Sequence, residues 1–182
     1  DDVLHPEKIA QQMGAAAAGT MLMTCAWARF FDRTDRARYA PDGLWQTLSA
    51  VEWITRKFEG NAFMFPATWL VGRDLIERAG RWDPRLTLDD DGEYMCRLVA
   101  AAGRVEFVPS ACCYYRIGNV GSLSWQKSER SLQSSFLSMT LCIQRLLRLE
   151  DSQRTRAACL AFVQDVFGLY YPEHTELIAR CH

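Results

Sequence analysis

The sequence lacks several features that would each point to a particular class of protein. No window approaches the roughly 18 consecutive apolar residues that a membrane-spanning helix needs, so a membrane span is not expected. Basic residues are not in excess, because 21 Lys and Arg stand against 22 Asp and Glu and the formal net charge is −1. A nucleic-acid-binding domain normally carries a basic excess or stripe, and that class is therefore excluded. The 182 residues, 49% of them hydrophobic, predict one globular domain, with or without a small appendage.

Paired cysteine motifs are also absent. The seven cysteines include no Cys-x-x-Cys pair, the spacing that is typical of metal and redox sites. They are scattered through segments that we expect to be buried, where reduced thiols pack as small hydrophobic residues. Reduced thiols are typical of the cytosol, and the sequence therefore predicts a cytoplasmic location.

Alternating strand and helix signals predict an α/β fold for the first two thirds of the chain. Residues 21–31 are rich in strand formers, 62–71 predict a bent or edge strand broken by Pro66, and two short strands, 105–108 and 111–117, flank Pro109. Ser49 and Glu52 form a capping box for a helix that ends near Gly60. Further helices are predicted over 73–79 and 91–102, each followed by glycine.

From about Trp125 onward the pattern is helical only. One apolar face is formed by Leu132, Phe136, Met139, Ile143 and Leu146, and a second by Leu160, Val163, Phe167 and Tyr170. The break at Asp151-Ser152 between them predicts an antiparallel helical hairpin, packed on the rest of the chain or on a second copy in a homodimer. Pro172 and Glu173 are expected to open a third, short helix.

The segment with the clearest chemical character is 88–94, where Asp89, Asp90, Asp91 and Glu93 place four acids within five positions. Like charges repel, and nothing in folding requires them together. A metal or catalytic role is one interpretation. The other is a helix start with exposed acids, since acidic side chains favour the positive end of the helix dipole.

The wider pattern around these acids resembles a known enzyme family. The motifs that carry the resemblance are Ala79-Gly80-Arg81-Trp82-Asp83-Pro84-Arg85-Leu86, Asp90-Asp91-Gly92-Glu93-Tyr94-Met95-Cys96-Arg97-Leu98, Gly103-Arg104-Val105-Glu106-Phe107-Val108-Pro109, Tyr115-Arg116 and Ser122-Leu123-Ser124. In order and spacing they resemble the second half of family-2 glycosyltransferases. The opening Asp1-Asp2-x-Leu-x-Pro-x-Lys-Ile is similar to the end of the family's Asp-x-Asp-Asp motif.

This resemblance implies a fold and a division of the chain. Residues 1–124 would be the metal- and acceptor-side half of a GT-A domain, a partial Rossmann-like sheet with flanking helices. Residues 125–182 would be a helical extension. Because the nucleotide-binding half would lie before Asp1, we expect the chain to be a fragment that is inactive alone.

The resemblance also implies an activity and a set of residues. The activity is inverting transfer of a sugar from a nucleotide-sugar donor to a glycan or other hydroxyl acceptor, as in polysaccharide biosynthesis. Asp91 would be the general base with Asp90 beside it, and Asp1 would hold Mg²⁺ or Mn²⁺ against the donor diphosphate. The implied substrate contacts are Trp69, Trp82, Glu93 and Arg116.

Other interpretations of these residues stay open. Each tryptophan can be a core residue instead of a sugar-stacking one, and Arg116 can form a structural salt bridge. The family's histidine after Tyr-Arg is missing, since Gly118 and Asn119 stand in that stretch.

Two other functions remain as alternatives. One is a non-catalytic helical module for binding or dimerisation. The other is a diphosphate-binding prenyl transferase, whose acidic helix motif Asp89-Asp90-x-x-Glu93 would fit.

Overall fold

The structure is a computed structural model that describes residues 2–17, 19, 22–118, 128–168, 170–172 and 175. These residues form an α/β fold with a mixed sheet. Its strands are β1 (Val3–Leu4), β2 (Leu22–Phe30), β3 (Arg38–Tyr39), β4 (Leu48–Ser49), β5 (Leu70–Val71) and β6 (Arg104–Arg116). The α-helices within the described ranges are α1 (Lys8–Ala15), α2 (Ala50–Gly60), α3 (Arg73–Ala79), α4 (Asp90–Ala102), α5 (Glu129–Leu149) and α6 (Gln153–Gly168).

The centre of the sheet is the parallel pair β2 and β6. The strands run in the order β1-β6-β2-β3, with β4 also paired to β6 and β5 to β2, and all pairs other than β2 and β6 are antiparallel. Residues 22–28 of β2 are all buried, as expected for a strand that is covered on both faces. A parallel pair needs a long crossover, and here α2, α3 and α4 lie between the two strands in the chain.

Two sequence predictions about strands are wrong. The strands expected on either side of Pro109 are one strand, β6, whose pairing with β2 shifts register between Val108 and Cys112. Proline has no amide hydrogen to donate to a ladder, so the strand bulges there instead of ending. The strand expected over 62–71 shrinks to β5, because 62–65 are unpaired and Pro66–Thr68 form a 3₁₀ turn.

The two C-terminal helices pack on the helices beside the sheet, α5 on α4 and α6 on α2. The predicted apolar face of α5 is buried, with Ile143 only partly so. The face predicted for α6 is only partly right: Tyr170 is buried and Val163 and Phe167 pack against the core, but Leu160 is 59% exposed and the buried Phe162 and Val166 were not predicted. Phe162 stacks on Phe58 of α2 with ring centroids 4.3 Å apart, and this contact fixes the rotation of the helix.

The structure also bears on two absences expected from the sequence. Within the described ranges, no helix is long and apolar enough to span a membrane. The six described cysteines are free thiols, and Cys181 lies outside the described residues. The predicted third helix falls mostly outside them as well, although Pro172 itself is in a turn.

Candidate active site

A cavity of about 520 Å³ lies where α2, α4, α5 and α6 meet the end of β6. This volume is within the range of about 300–1,000 Å³ that is typical of small-molecule sites. Its polar wall residues are Lys57, Asn61, Asp89, Asp91, Ser135 and Asp165, and its aromatic wall residues are Trp53, Phe63, Tyr115, Phe162 and Tyr170. The cavity therefore combines apolar surface with a small number of charged and hydroxyl groups.

The acidic segment enters the cavity through a turn that α5 holds in place. Asp89 has a left-handed backbone with φ of 57°, and its carboxylate accepts a hydrogen bond of 2.6 Å from the hydroxyl of Ser138. The hydroxyl of Ser134 donates to the Leu88 carbonyl over 2.7 Å. A Cβ at Gly92 would lie 2.7 Å from Asp89 Cγ, so only glycine leaves room for the Asp89 carboxylate. This packing sets where the next residues of α4 point.

Asp91 is half-buried in the cavity wall near the start of α4. Burial raises the pKa of its carboxyl above the ordinary value, and the carboxylates of Asp89 and Asp90 raise it further. The Gly92 amide, which donates to Asp91 Oδ1 over 2.9 Å, and the Lys57 ammonium act in the opposite direction on this pKa. A carboxylate with a raised pKa is a stronger base than an exposed one, which suits it to accept a proton.

The other polar residues of the cavity wall come from α2 and from the C-terminal helices. Lys57 Nζ lies 5.4 Å from the centroid of the Phe162 ring, a cation–π distance. The hydroxyls of Ser135 and Tyr170 are 3.0 Å apart. Asp165 is half-buried, and its carboxylate has no hydrogen-bond or ion-pair partner among the residues that the structure describes. An acid in this position is available to a ligand.

The other two acids of the segment are not in the cavity wall. Asp90 is exposed at the first position of α4. Glu93 is only 3% exposed, and its carboxylate pairs with Arg97 at 2.7 Å and with Arg145 of α5 at 3.3 Å. Arg97 in turn donates to the carbonyl oxygens of Ala79 and Arg81. Glu93 therefore ties together α4, α5 and the end of α3, which is a structural position.

The predicted aromatic and arginine contacts also lie away from the wall. Trp69 is buried and donates its indole N–H to the Met64 carbonyl over 3.2 Å. Trp82 is 43% exposed and stacks on Tyr94 with ring centroids 4.4 Å apart. The guanidinium of Arg116 donates to the Phe31 carbonyl and lies 4.5 Å from the centroid of the Phe30 ring. The backbone amide of Arg116 donates to the Asp2 carboxylate.

The predicted metal ligand cannot be placed, because Asp1 lies outside the described residues, as do Ser122, Leu123 and Ser124. Among the residues that are described, no group of three or more His, Cys, Asp or Glu side chains is arranged to hold a metal ion. Binding of Mg²⁺ or Mn²⁺ therefore stays a prediction, and the chemistry proposed below takes no step through it.

Sequence reasoning missed several wall residues, above all Lys57 and Asp165. A weak signal existed for each: Lys57 is one of only three lysines, and Asp165 is the one charged residue in the apolar run 162–167. Neither signal says that the two side chains share a cavity with Asp91. That proximity arises from the packing of α6 on α2.

No protein-family model, curated protein or solved structure matches this chain. The grounds for a function are therefore the residues of the cavity and the motifs in the sequence.

Proposed function

We propose that the chain is part of an inverting glycosyltransferase that uses a nucleotide sugar, with Asp91 as the general base. The observation that carries the proposal is the position of Asp91, half-buried with a raised pKa in the wall of a cavity large enough for a sugar. The parallel pair β2 and β6 with its flanking helices supports a GT-A half over residues 1–124. The short link between α5 and α6, and their contact, support a helical hairpin in the extension 125–182.

In the proposed reaction an acceptor hydroxyl enters the cavity beside Asp91. Its oxygen attacks the anomeric carbon of the donor, its proton passes to the Asp91 carboxylate, and the bond from that carbon to the diphosphate oxygen breaks. The products are the glycoside and a nucleoside diphosphate. General-base catalysis of this kind contributes roughly 10²–10⁴-fold in rate.

The decisive test is Asp91→Asn in the full-length protein that contains this chain. Release of nucleoside diphosphate is measured with UDP-, GDP- and dTDP-sugars and a panel of methyl hexopyranosides. We expect the variant to lose about 10²–10⁴-fold in rate, because an amide cannot take the proton. Asp74→Asn, the same change at an exposed position of α3, is the matched control and should keep the wild-type rate.

The pH dependence gives a second measurement. The rate should rise with pH through the raised pKa of Asp91, since only the ionised form accepts a proton. Equal rates for wild type and Asp91→Asn would overturn the assignment of the base, and so would absence of nucleoside-diphosphate release from the wild type with every donor.

The structure bears differently on the two alternative functions. A prenyl transferase of the acidic-helix type is all-helical, and the mixed sheet disfavours it. The non-catalytic binding or dimerisation module stays as the alternative. Most of the predicted apolar face of α5 is buried within this chain, which leaves less of it for a second copy. A module of that kind would keep its binding in Asp91→Asn.

We also propose a cytoplasmic location, which the six free thiols among the described residues support.

A further inference from the structure

One side of the cavity comes from residues beyond the segment that resembles a glycosyltransferase. Phe162, Asp165 and Val166 of α6, with Tyr170 just after it, form this wall. Asp91, the proposed base, belongs to the part of the wall that α4 contributes. A ligand in this cavity would therefore lie within one space bounded by both the proposed base and the C-terminal extension.

The extension wall offers the two kinds of contact that a sugar ring uses. The Asp165 carboxylate, without a partner among the described residues, can accept hydrogen bonds from hydroxyl groups. The ring of Tyr170 offers apolar surface for the C–H face of a pyranose, whereas the Phe162 ring is already stacked on Phe58 and has the Lys57 ammonium over it.

A buried donor in the same cavity lacks a partner. Trp53 lines the cavity and is only 1% exposed, and its indole N–H has no hydrogen-bond acceptor among the described residues. A buried donor of this kind normally finds a partner in the protein, in water or in a ligand. The indole nitrogen itself is closed off from the cavity, so a ligand oxygen would reach it only after neighbouring side chains moved.

The charges of the cavity disfavour an anionic acceptor. Three carboxylates, those of Asp89, Asp91 and Asp165, face one ammonium group, that of Lys57. A carboxylate or phosphate on the ligand would meet like charge on both walls, and such repulsion is a common source of specificity. Neutral hydroxyl groups meet acceptors on both walls instead.

Resting on the proposed transferase function, we infer that the C-terminal extension forms the acceptor site and that the acceptor is a neutral hexopyranoside. Asp165 is its specificity-determining residue. It binds sugar hydroxyls and excludes uronates and sugar phosphates.

The test is direct binding of two probes of the same shape, which needs no donor and no turnover. Methyl β-D-glucopyranoside and methyl β-D-glucopyranosiduronate are titrated into this chain, with binding followed by NMR chemical-shift changes. We expect the neutral sugar to bind at least about tenfold more tightly than the uronate, a difference of about 1.4 kcal/mol.

Variants that change the charge at position 165 then test whether Asp165 causes the preference for the neutral sugar. Asp165→Asn should weaken binding of the neutral sugar and narrow its advantage over the uronate, and Asp165→Lys should reverse the preference. Asp151→Asn is the matched control, because Asp151 is exposed, pairs with Arg156 and lies outside the cavity wall. Circular dichroism and thermal unfolding of each variant check that the fold is kept.

The outcomes separate this inference from the proposed function. Unchanged sugar preference across the series would overturn the role of Asp165, even if the full-length protein transfers sugar with Asp91 as its base. Binding that follows the charge series, without nucleoside-diphosphate release by the full-length protein, would support the sugar site and overturn the transferase. Absence of binding of both probes would overturn the acceptor site.

Discussion

Gly92→Ala tests the packing that orients the acidic segment. In most helices this change is stabilising, because alanine is favoured over glycine by up to about 1 kcal/mol. Here the new Cβ would lie 2.7 Å from Asp89 Cγ and 2.9 Å from Asp89 Oδ2. Separations under 3 Å are not tolerated, so the Asp89 side chain has to move. It would then leave its 2.6 Å hydrogen bond with Ser138.

The size of the effect follows from two opposing contributions. A hydrogen bond to a charged group contributes about 1.5–3 kcal/mol, and the propensity gain offsets up to about 1 kcal/mol of that loss. With the full propensity gain, the net expectation is a lower free energy of unfolding by about 0.5–2 kcal/mol, or a decrease in Tm of about 1–8 °C for a chain of this size. Urea denaturation followed by circular dichroism measures the first quantity.

Gly92→Ala is also measured in a variant without the Asp89 side chain, where the predicted change in stability has the opposite sign. Asp89→Gly removes the carboxylate and suits the left-handed backbone at that position. In that background Gly92→Ala meets no obstacle from residue 89 and should be stabilising by up to about 1 kcal/mol. The reasoning is refuted if Gly92→Ala is stabilising in the wild type, or equally destabilising in both backgrounds.

Two further predictions concern ion pairs. Glu93→Ala should lower the free energy of unfolding by about 3–5 kcal/mol, because it leaves Arg97 and Arg145 without their buried partner. The exposed Glu77→Ala is its control in urea denaturation, and a loss no larger than the control's would contradict the structural role. The guanidinium groups of Arg154 and Arg56 hold the pKa of Glu52 at about 2, below its ordinary value of 4.5. As the pH falls, the Glu52 carboxylate binds a proton at a higher pH in the unfolded chain than in the folded one. The stabilisation of the fold by these ion pairs is therefore present above pH 4.5 and is lost as the pH falls toward 2. The Tm difference between wild type and Glu52→Gln should shrink over that interval, and a constant difference would count against the pairing.

Local signals in the sequence predicted the helices well. The predicted cap marks the start of α2, where the Ser49 hydroxyl accepts from the Glu52 amide over 3.3 Å, although the Glu52 carboxylate binds Arg56 and Arg154 instead of completing a capping box. Gly103 ends α4 in the left-handed region, as a glycine stop predicts. Caps and apolar periodicity act within a few residues, so they can be read without knowledge of the rest of the chain.

Three features can therefore be read from the amino-acid order: the α/β character, most helix boundaries and the position of the acids at the start of α4. The roles of the individual acids depend on the packing of the helices: Asp91 lines the cavity, while Glu93, already paired with Arg97 of its own helix, also binds Arg145 of α5. The same packing sets the rotation of α6 and brings Asp165 into the same cavity as Asp91. Such contacts join residues that are far apart in the chain. They depend on how side-chain shapes fit between helices, and no local pattern encodes that fit.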